Sequence, residues 1–133
     1  MRGSKELLAR GVSVCLGQDD ISDAYYPFGR NNMLEVAFLA AHLLWMTTRA
    51  EIETLYDMIT VTPAAAIHLA HFGLAVGAAA NLVVLDQPDV VEALRLHAPP
   101  RCVISHGRSV DLARMRDLAG LAKPIAPAAP GVS

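Results

Sequence analysis

A short apolar segment that leads directly into two acids constrains this chain more than any other feature. Every residue from Val12 to Leu16 is apolar or small, and Gly17 separates this run from Asp19 and Asp20. Such a run is typical of a strand covered on both faces in a parallel sheet. Many α/β enzymes place their chemistry where such a strand ends in a loop. We therefore predict a buried parallel strand followed by an acidic loop.

The composition is more apolar than that of an ordinary soluble domain. Hydrophobic residues make up 53% of the 133 residues and charged residues 18%, against roughly 45–50% and about 25% in typical domains. The mean hydropathy is +0.36. A chain of this length has difficulty burying that much apolar surface in its own core. Three explanations follow: a membrane protein, an obligate oligomer, or a piece of a larger fold.

Length and charge argue against a membrane or nucleic-acid role. The longest apolar run, Val36 to Met46, includes His42 and is shorter than the about 20 residues of a spanning helix. The segment from Met1 to Glu6 is charged, unlike a signal peptide. The net charge is −2, and no basic patch has the density that nucleic acid requires. We expect neither a membrane nor a nucleic-acid partner.

The two cysteines indicate a reducing compartment. Cys15 and Cys102 are far apart and form no CxxC motif. This usage suits a cytoplasmic protein and offers no disulfide framework or thiolate metal site.

Periodicity and turn residues predict the remaining elements. We expect helices at about 4–10, 33–47, 49–59, 63–70 and 88–96, and strands at 81–85 and 101–105. Thr62 is the expected N-cap of the fourth helix, with Pro63 at its first position. The helix at 33–47 is apolar around nearly its whole circumference, which predicts burial on more than one side.

The acid pair is the strongest candidate for chemistry. Two carboxylates about 4 Å apart repel by roughly 4 kcal/mol at an effective dielectric near 20. Near a closed pocket, Asp19 and Asp20 therefore need a cation, hydrogen-bond donors or a proton on one acid. A divalent metal is the simplest cause. The alternative is a solvated acidic turn or a helix cap, but the preceding apolar strand favours the functional interpretation.

Aromatic residues cluster in the same loop. Tyr25, Tyr26 and Phe28 fall within four positions. They suit either a pocket wall that stacks on a planar substrate or a set of loop anchors.

The five histidines do not form an evident ligand set. His42 is expected to be a packed or capped core residue of an apolar helix, and His97 and His106 are expected to occupy surface turns. His68 and His71 can share a helix face but lie far from any strand end.

Three segments together resemble cytosine deaminase-like members of the amidohydrolase superfamily. The stretch Gly-Val-Ser-Val-Cys-Leu-Gly-Gln-Asp-Asp-Ile-Ser-Asp-Ala-Tyr-Tyr-Pro-Phe-Gly at 11–29, with Asn-Asn-Met-Leu at 31–34, resembles the last barrel strand and its loop. Residues 57–66 are similar to the family's late helix pair. Residues 72–85 are similar to the segment that leaves the barrel for a small β-sandwich domain. The resemblance covers about residues 5–110.

The resemblance implies an α/β fold, namely the C-terminal portion of a (β/α)8 (TIM) barrel plus part of the small β-sandwich domain. On this basis residues 1–71 hold the last barrel strand and helices, and residues 72–110 belong to the sandwich. Residues 111–133 form a partly disordered helical and Ala/Pro-rich tail. The full-length parent is expected to be a cytoplasmic homo-oligomer that binds one divalent metal, iron or zinc.

The resemblance also implies residue roles. Asp19 matches the catalytic aspartate that binds the metal and the attacking water and relays a proton. Asp20 matches the neighbouring acid that shapes the substrate pocket. Tyr25 stands where the best-known cytosine deaminases have a tryptophan against the base, so the exact substrate stays open. The implied reaction is attack of metal-bound hydroxide on an amidine-like ring carbon of cytosine or a related amino-heterocycle, with loss of ammonia.

Most of the family's metal ligands have no counterpart in this sequence. Its His-x-His motif, its later histidines and its general acid/base glutamate would precede Met1. Catalytic zinc usually takes three protein ligands. We therefore expect a C-terminal fragment that binds no metal and is inactive alone. Two alternatives stay open: an amidohydrolase for a cyclic amide, triazine or purine-like ring, and a non-catalytic interaction module.

Overall fold

The structure, a computed structural model, describes residues 3–19, 24, 27 and 29–114. These residues form five helices and a small antiparallel sheet. The elements in chain order are α1 Gly3–Ala9, α2 Met33–Leu44, α3 Arg49–Asp57, α4 Val61–Ala66, β1 Leu82–Val84, α5 Val90–Leu96, β2 Cys102–Ser105 and β3 Arg108–Ser109. The strands lie in the order β1-β2-β3, with Leu82 opposite Ile104 and Ile104 opposite Ser109. In the part of the chain described, no helix has the length and apolar character needed to cross a bilayer.

Side-chain caps fix where three of the helices begin. The side chain of Asn32 accepts a hydrogen bond from Leu34 N–H at the start of α2. Thr48 and Glu51 form a reciprocal capping box on α3. Asp89 caps α5 by accepting from the N–H of Glu92. These caps satisfy backbone donors that a helix leaves free in its first turn.

The core lies where α2, α3 and α5 pack against one another. Leu55 and Met58, which the sequence places on the apolar face of α3, are 0% and 1% exposed. The other buried members of this cluster are Leu34, Ala37, Ala40, Met46, Ala93 and Leu94. The predicted amphipathic pattern of α3 is therefore confirmed.

The first helix contacts this core through Leu8, whose side chain packs against the buried cluster, and through Lys5. The Nζ of Lys5 donates to the carbonyl oxygen of Trp45 and to Glu51 Oε1, each at 2.7 Å. The α1 helix ends as predicted before Gly11, whose φ of 74° suits a glycine at a helix C-terminus.

The strand predicted at Val12–Leu16 is wrong for the chain as it folds here. These residues form no strand, Val12 is 45% exposed, and Cys15 is exposed as well. A parallel strand requires neighbours that donate and accept backbone hydrogen bonds. All strands among the described residues lie between 82 and 109 and are antiparallel, so this part of the chain forms no (β/α)8 barrel.

Two helix predictions also need correction. The α4 helix begins at Val61, so Pro63 is its third residue and Thr60 its N-cap. Proline is accommodated there because the first-turn N–H groups have no intrahelical partner. The α2 helix is buried on one side only, and His42 is exposed rather than packed in the core.

The three predicted segments, 1–71, 72–110 and 111–133, stay predictions. Among the residues that the structure describes, the strands fall within 72–110. Leu112 to Arg114 begin a helical turn, and the rest of the predicted tail lies outside the described residues.

Candidate functional site

Asp19 occupies an exposed turn just after the apolar segment. Its φ is 63°, in the left-handed region that aspartate enters more readily than most residues. Three residues earlier, the N–H of Leu16 donates to the carbonyl oxygen of Met58 at 3.0 Å. The buried end of α3 therefore fixes the backbone that leads to Asp19.

A second polar group beside Asp19 was not anticipated from the sequence. The Oε1 atom of Gln18 is buried, and it has no hydrogen-bond partner within the described part of the chain. An unpaired buried acceptor usually costs about 1–3 kcal/mol. A lone glutamine after a glycine gives no sequence signal of this environment.

The other predicted site residues lie outside the described residues. These are Asp20, the predicted partner of Asp19, and Tyr25, the predicted pocket residue. Tyr26 and Phe28 also lie outside the described residues. The geometry of the acid pair and of the aromatic wall therefore stays a prediction.

The described residues do not fit a divalent metal by themselves. Within residues 3–19, 24, 27 and 29–114, no group of three or more His, Cys, Asp or Glu side chains could hold an ion. Asp19 would supply a single carboxylate, whereas a catalytic zinc takes about three protein ligands. Any metal at Asp19 needs further ligands from other residues.

A half-open cleft of about 890 Å³ lies beside the helical core. Asn32 helps to form it, because its Nδ2 donates to the carbonyl oxygen of His97 at 2.9 Å while its Oδ1 caps α2. The lining residues are Arg30, Asn31, Asn32, Met33, Leu34, Tyr56, Ile59, Thr60, Val83, Leu85, Ala98, Pro99, Pro100, Val103 and Leu112.

The cleft suits binding better than proton transfer. Its described lining contains no carboxylate, cysteine or histidine, and Asp19 does not contribute to it. The guanidinium of Arg30 pairs with Glu35, with 3.1 Å between Nε and Oε2.

The perturbed acids of the described chain serve helix starts. Hydrogen bonds from Lys5 and then from Thr48 lower the pKa of Glu51 to about 2. The backbone N–H of Glu92 lowers the pKa of Asp89, and the side chain of Arg95 lowers the pKa of Glu92. Each of these pKa shifts arises from a helix cap or an ion pair on a helix, so the shifts are explained without a catalytic role.

Four histidines occupy turn conformations with positive φ: His68, His71, His97 and His106. The prediction of turns is thus confirmed for His97 and His106. His97 is nevertheless half-buried, and its ring lies 4.9 Å from that of Phe38.

Residues 3–111 match the sequence profile of the amidohydrolase family. The chain belongs to that family.

Individual relatives agree with this assignment. The chain is 34% identical to 5-methylcytosine deaminase from Klebsiella pneumoniae, solved with 5-fluorocytosine, with a TM-score of 0.74. It is 31% identical to N-isopropylammelide isopropylaminohydrolase from Burkholderia multivorans ATCC 17616, with a TM-score of 0.72. It is also 30% identical over 106 residues to the N-isopropylammelide isopropyl amidohydrolase of Pseudomonas sp. (strain ADP).

The match covers most of this chain but a minor part of each relative. The aligned residues make up 81%, 77% and 79% of this chain in the three comparisons, and 26% of each relative. The chain therefore spans about a quarter of the length of the proteins that it matches.

Proposed function

We propose that this chain supplies one part of a hydrolase that removes an amino substituent from a nitrogen heterocycle. The observation that carries the proposal is the 34% identity to 5-methylcytosine deaminase, with a TM-score of 0.74, across 81% of the chain. The names of the other two relatives describe removal of an isopropylamino group from N-isopropylammelide. Both of these substrates, 5-methylcytosine and N-isopropylammelide, carry an exocyclic nitrogen on a ring carbon.

In this proposal Asp19 contacts the reacting atoms, and Asp20 and Tyr25 line the substrate pocket. The hydrogen bond from Leu16 to Met58 supports the role of Asp19, because it connects the approach to Asp19 with a fully buried residue. The family generally uses a divalent metal. The other ligands of such a metal would come from the part of the fold that this chain does not contain.

The substrate class is proposed as cytosine or a related amino-heterocycle. A triazine-type ring is the second candidate, because two of the relatives are named for N-isopropylammelide. We also propose a homo-oligomeric, cytoplasmic enzyme; the two free cysteines, Cys15 and Cys102, suit a reducing compartment.

A single-chain chimera tests the proposal. Residues 3–111 of this chain would replace the matching segment of the K. pneumoniae deaminase, and release of ammonia from 5-methylcytosine and of isopropylamine from N-isopropylammelide would be measured. We expect amine release from at least one of the two compounds. A folded chimera that binds metal yet releases neither amine would contradict the proposal and favour a non-catalytic module.

A further inference from the structure

Asn32 uses both ends of its side-chain amide. The Oδ1 atom accepts a hydrogen bond from Leu34 N–H as the cap of α2, and the Nδ2 atom donates to the carbonyl oxygen of His97 at 2.9 Å. His97 follows α5 directly and ends that helix in a left-handed conformation. One side chain therefore joins the start of α2 to the end of α5, which lies 65 residues further along the chain.

Capping alone does not account for an asparagine at this position. Serine and aspartate cap helices about as well, and a carboxylate gains further from the helix dipole. Asparagine differs from aspartate in having an N–H donor, and from serine in carrying its donor and its acceptor on separate atoms. Asp89, the cap of α5, shows the same matching, because its second oxygen accepts from the guanidinium of Arg49 at 3.3 Å. In both caps the second atom complements a distant partner.

The two ends of the acidic loop at 19–32 are attached to neighbouring helices. Just before the loop, the N–H of Leu16 donates to the carbonyl oxygen of Met58 at the end of α3. At the other end, the asparagine hydrogen bond attaches the chain to α5, and α3 packs against α5. The loop sequence contains Asp20 and Tyr25, the pocket residues of the proposed function.

We propose that Asn32 is a positioning residue for substrate binding, and that its hydrogen bond to the end of α5 places Asp20 and Tyr25 against the substrate ring. The inference rests on the proposed function, since it assigns a further residue to the same pocket. Without this bond, the end of the loop has to be ordered when the substrate binds, and that entropy is subtracted from the binding free energy. Loss of the bond therefore raises KM more than it lowers kcat.

Two substitutions in the single-chain chimera separate the cap from the second contact. Asn32→Ser and Asn32→Asp keep an acceptor for α2 but remove the amide donor. Asp89→Ser is the matched control, because it keeps an acceptor for α5 and removes the contact with Arg49, at the other end of that helix. The measured quantities are KM and kcat for amine release and the dissociation constant of 5-fluorocytosine, the ligand of the K. pneumoniae structure. Amide hydrogen exchange at Leu34 checks that the cap of α2 persists.

We expect KM and the dissociation constant to rise about fivefold or more in both Asn32 variants, with kcat within about twofold, and to stay near the original values in Asp89→Ser. An unchanged dissociation constant in the Asn32 variants, a lower kcat at constant KM, or an equal rise in Asp89→Ser would overturn the proposal, because each is the result of a purely structural role. Binding of 5-fluorocytosine that depends on Asn32, in a chimera that releases no amine, would instead contradict the proposed function alone.

Discussion

The backbone N–H of Leu16 donates to the carbonyl oxygen of Met58, with 3.0 Å between nitrogen and oxygen. Met58 follows α3 directly, and its side chain is 1% exposed. The apolar segment before Asp19 is thus attached to the most deeply buried part of the helical core. The side chains of Val14 and Leu16 also pack against this core, so we expect the stability of the core and the position of Asp19 to be coupled.

Shortening the Met58 side chain should weaken the fold. Met58→Ala leaves a cavity where α2, α3 and α5 meet, and we expect a loss of about 2–4 kcal/mol in the free energy of unfolding. Urea unfolding followed by circular dichroism measures it. Val61→Ala is the control, since Val61 is 49% exposed and its change should stay within about 0.5 kcal/mol. Similar losses in both variants would contradict the assigned core.

The ion pair and capping box at Glu51 predict an acid-sensitive fold. The pKa of Glu51 lies at about 2 in the folded chain, below its ordinary value of 4.5, first because Lys5 donates to it. The ionised form therefore stabilises the folded state above pH 4.5, and this contribution is lost as the pH falls toward 2.

We expect Glu51→Gln to flatten the dependence of unfolding free energy on pH between 4.5 and 2. Urea unfolding at a series of pH values in that range would measure it. Glu53→Gln, on the exposed side of the same helix, is the matched control. An equal loss of slope in both variants would show that the contacts of Glu51 are not the cause.

Thr48, the observed cap of α3, and Thr62, the cap predicted for α4, should differ in their contribution to stability. Thr48 accepts a hydrogen bond from Glu51 N–H as the cap of α3, so Thr48→Ala should cost about 1 kcal/mol. Thr62 lies inside α4, so Thr62→Ala should change the unfolding free energy by less than about 0.5 kcal/mol. Chemical denaturation measures both losses. A larger loss for Thr62→Ala than for Thr48→Ala would contradict the observed caps and support Thr62 as the cap of α4.

Local patterns predicted most helices and the two main strands. Leu55 and Met58 are spaced for one helix face, and that face is the core. Asn32, Thr48 and Asp89 have the short polar side chains that favour helix caps, although the one cap predicted from the sequence, Thr62, lies inside α4. Such information is contained within a few residues, so no distant contact is needed to interpret it.

Features that depend on distant neighbours were harder to predict. Val12–Leu16 has the residues of a buried strand, but a parallel strand forms only beside other strands. The apolar residues around α2 predicted that Leu43 would be buried, but Leu43 is 58% exposed because no described residue covers that side of the helix. The burial of Gln18 Oε1 depends on the surrounding fold and leaves no trace in local sequence.

The central claim is that Asp19 acts on the substrate. In the single-chain chimera, Asp19→Asn removes one negative charge and keeps the size of the side chain. Asp57→Asn is the matched control, because Asp57 is an exposed aspartate at the end of α3. The direct measurement is kcat for amine release with equal metal loading. The account predicts a decrease of about a hundredfold or more for Asp19→Asn and near-normal kcat for Asp57→Asn; near-normal turnover in Asp19→Asn would contradict it.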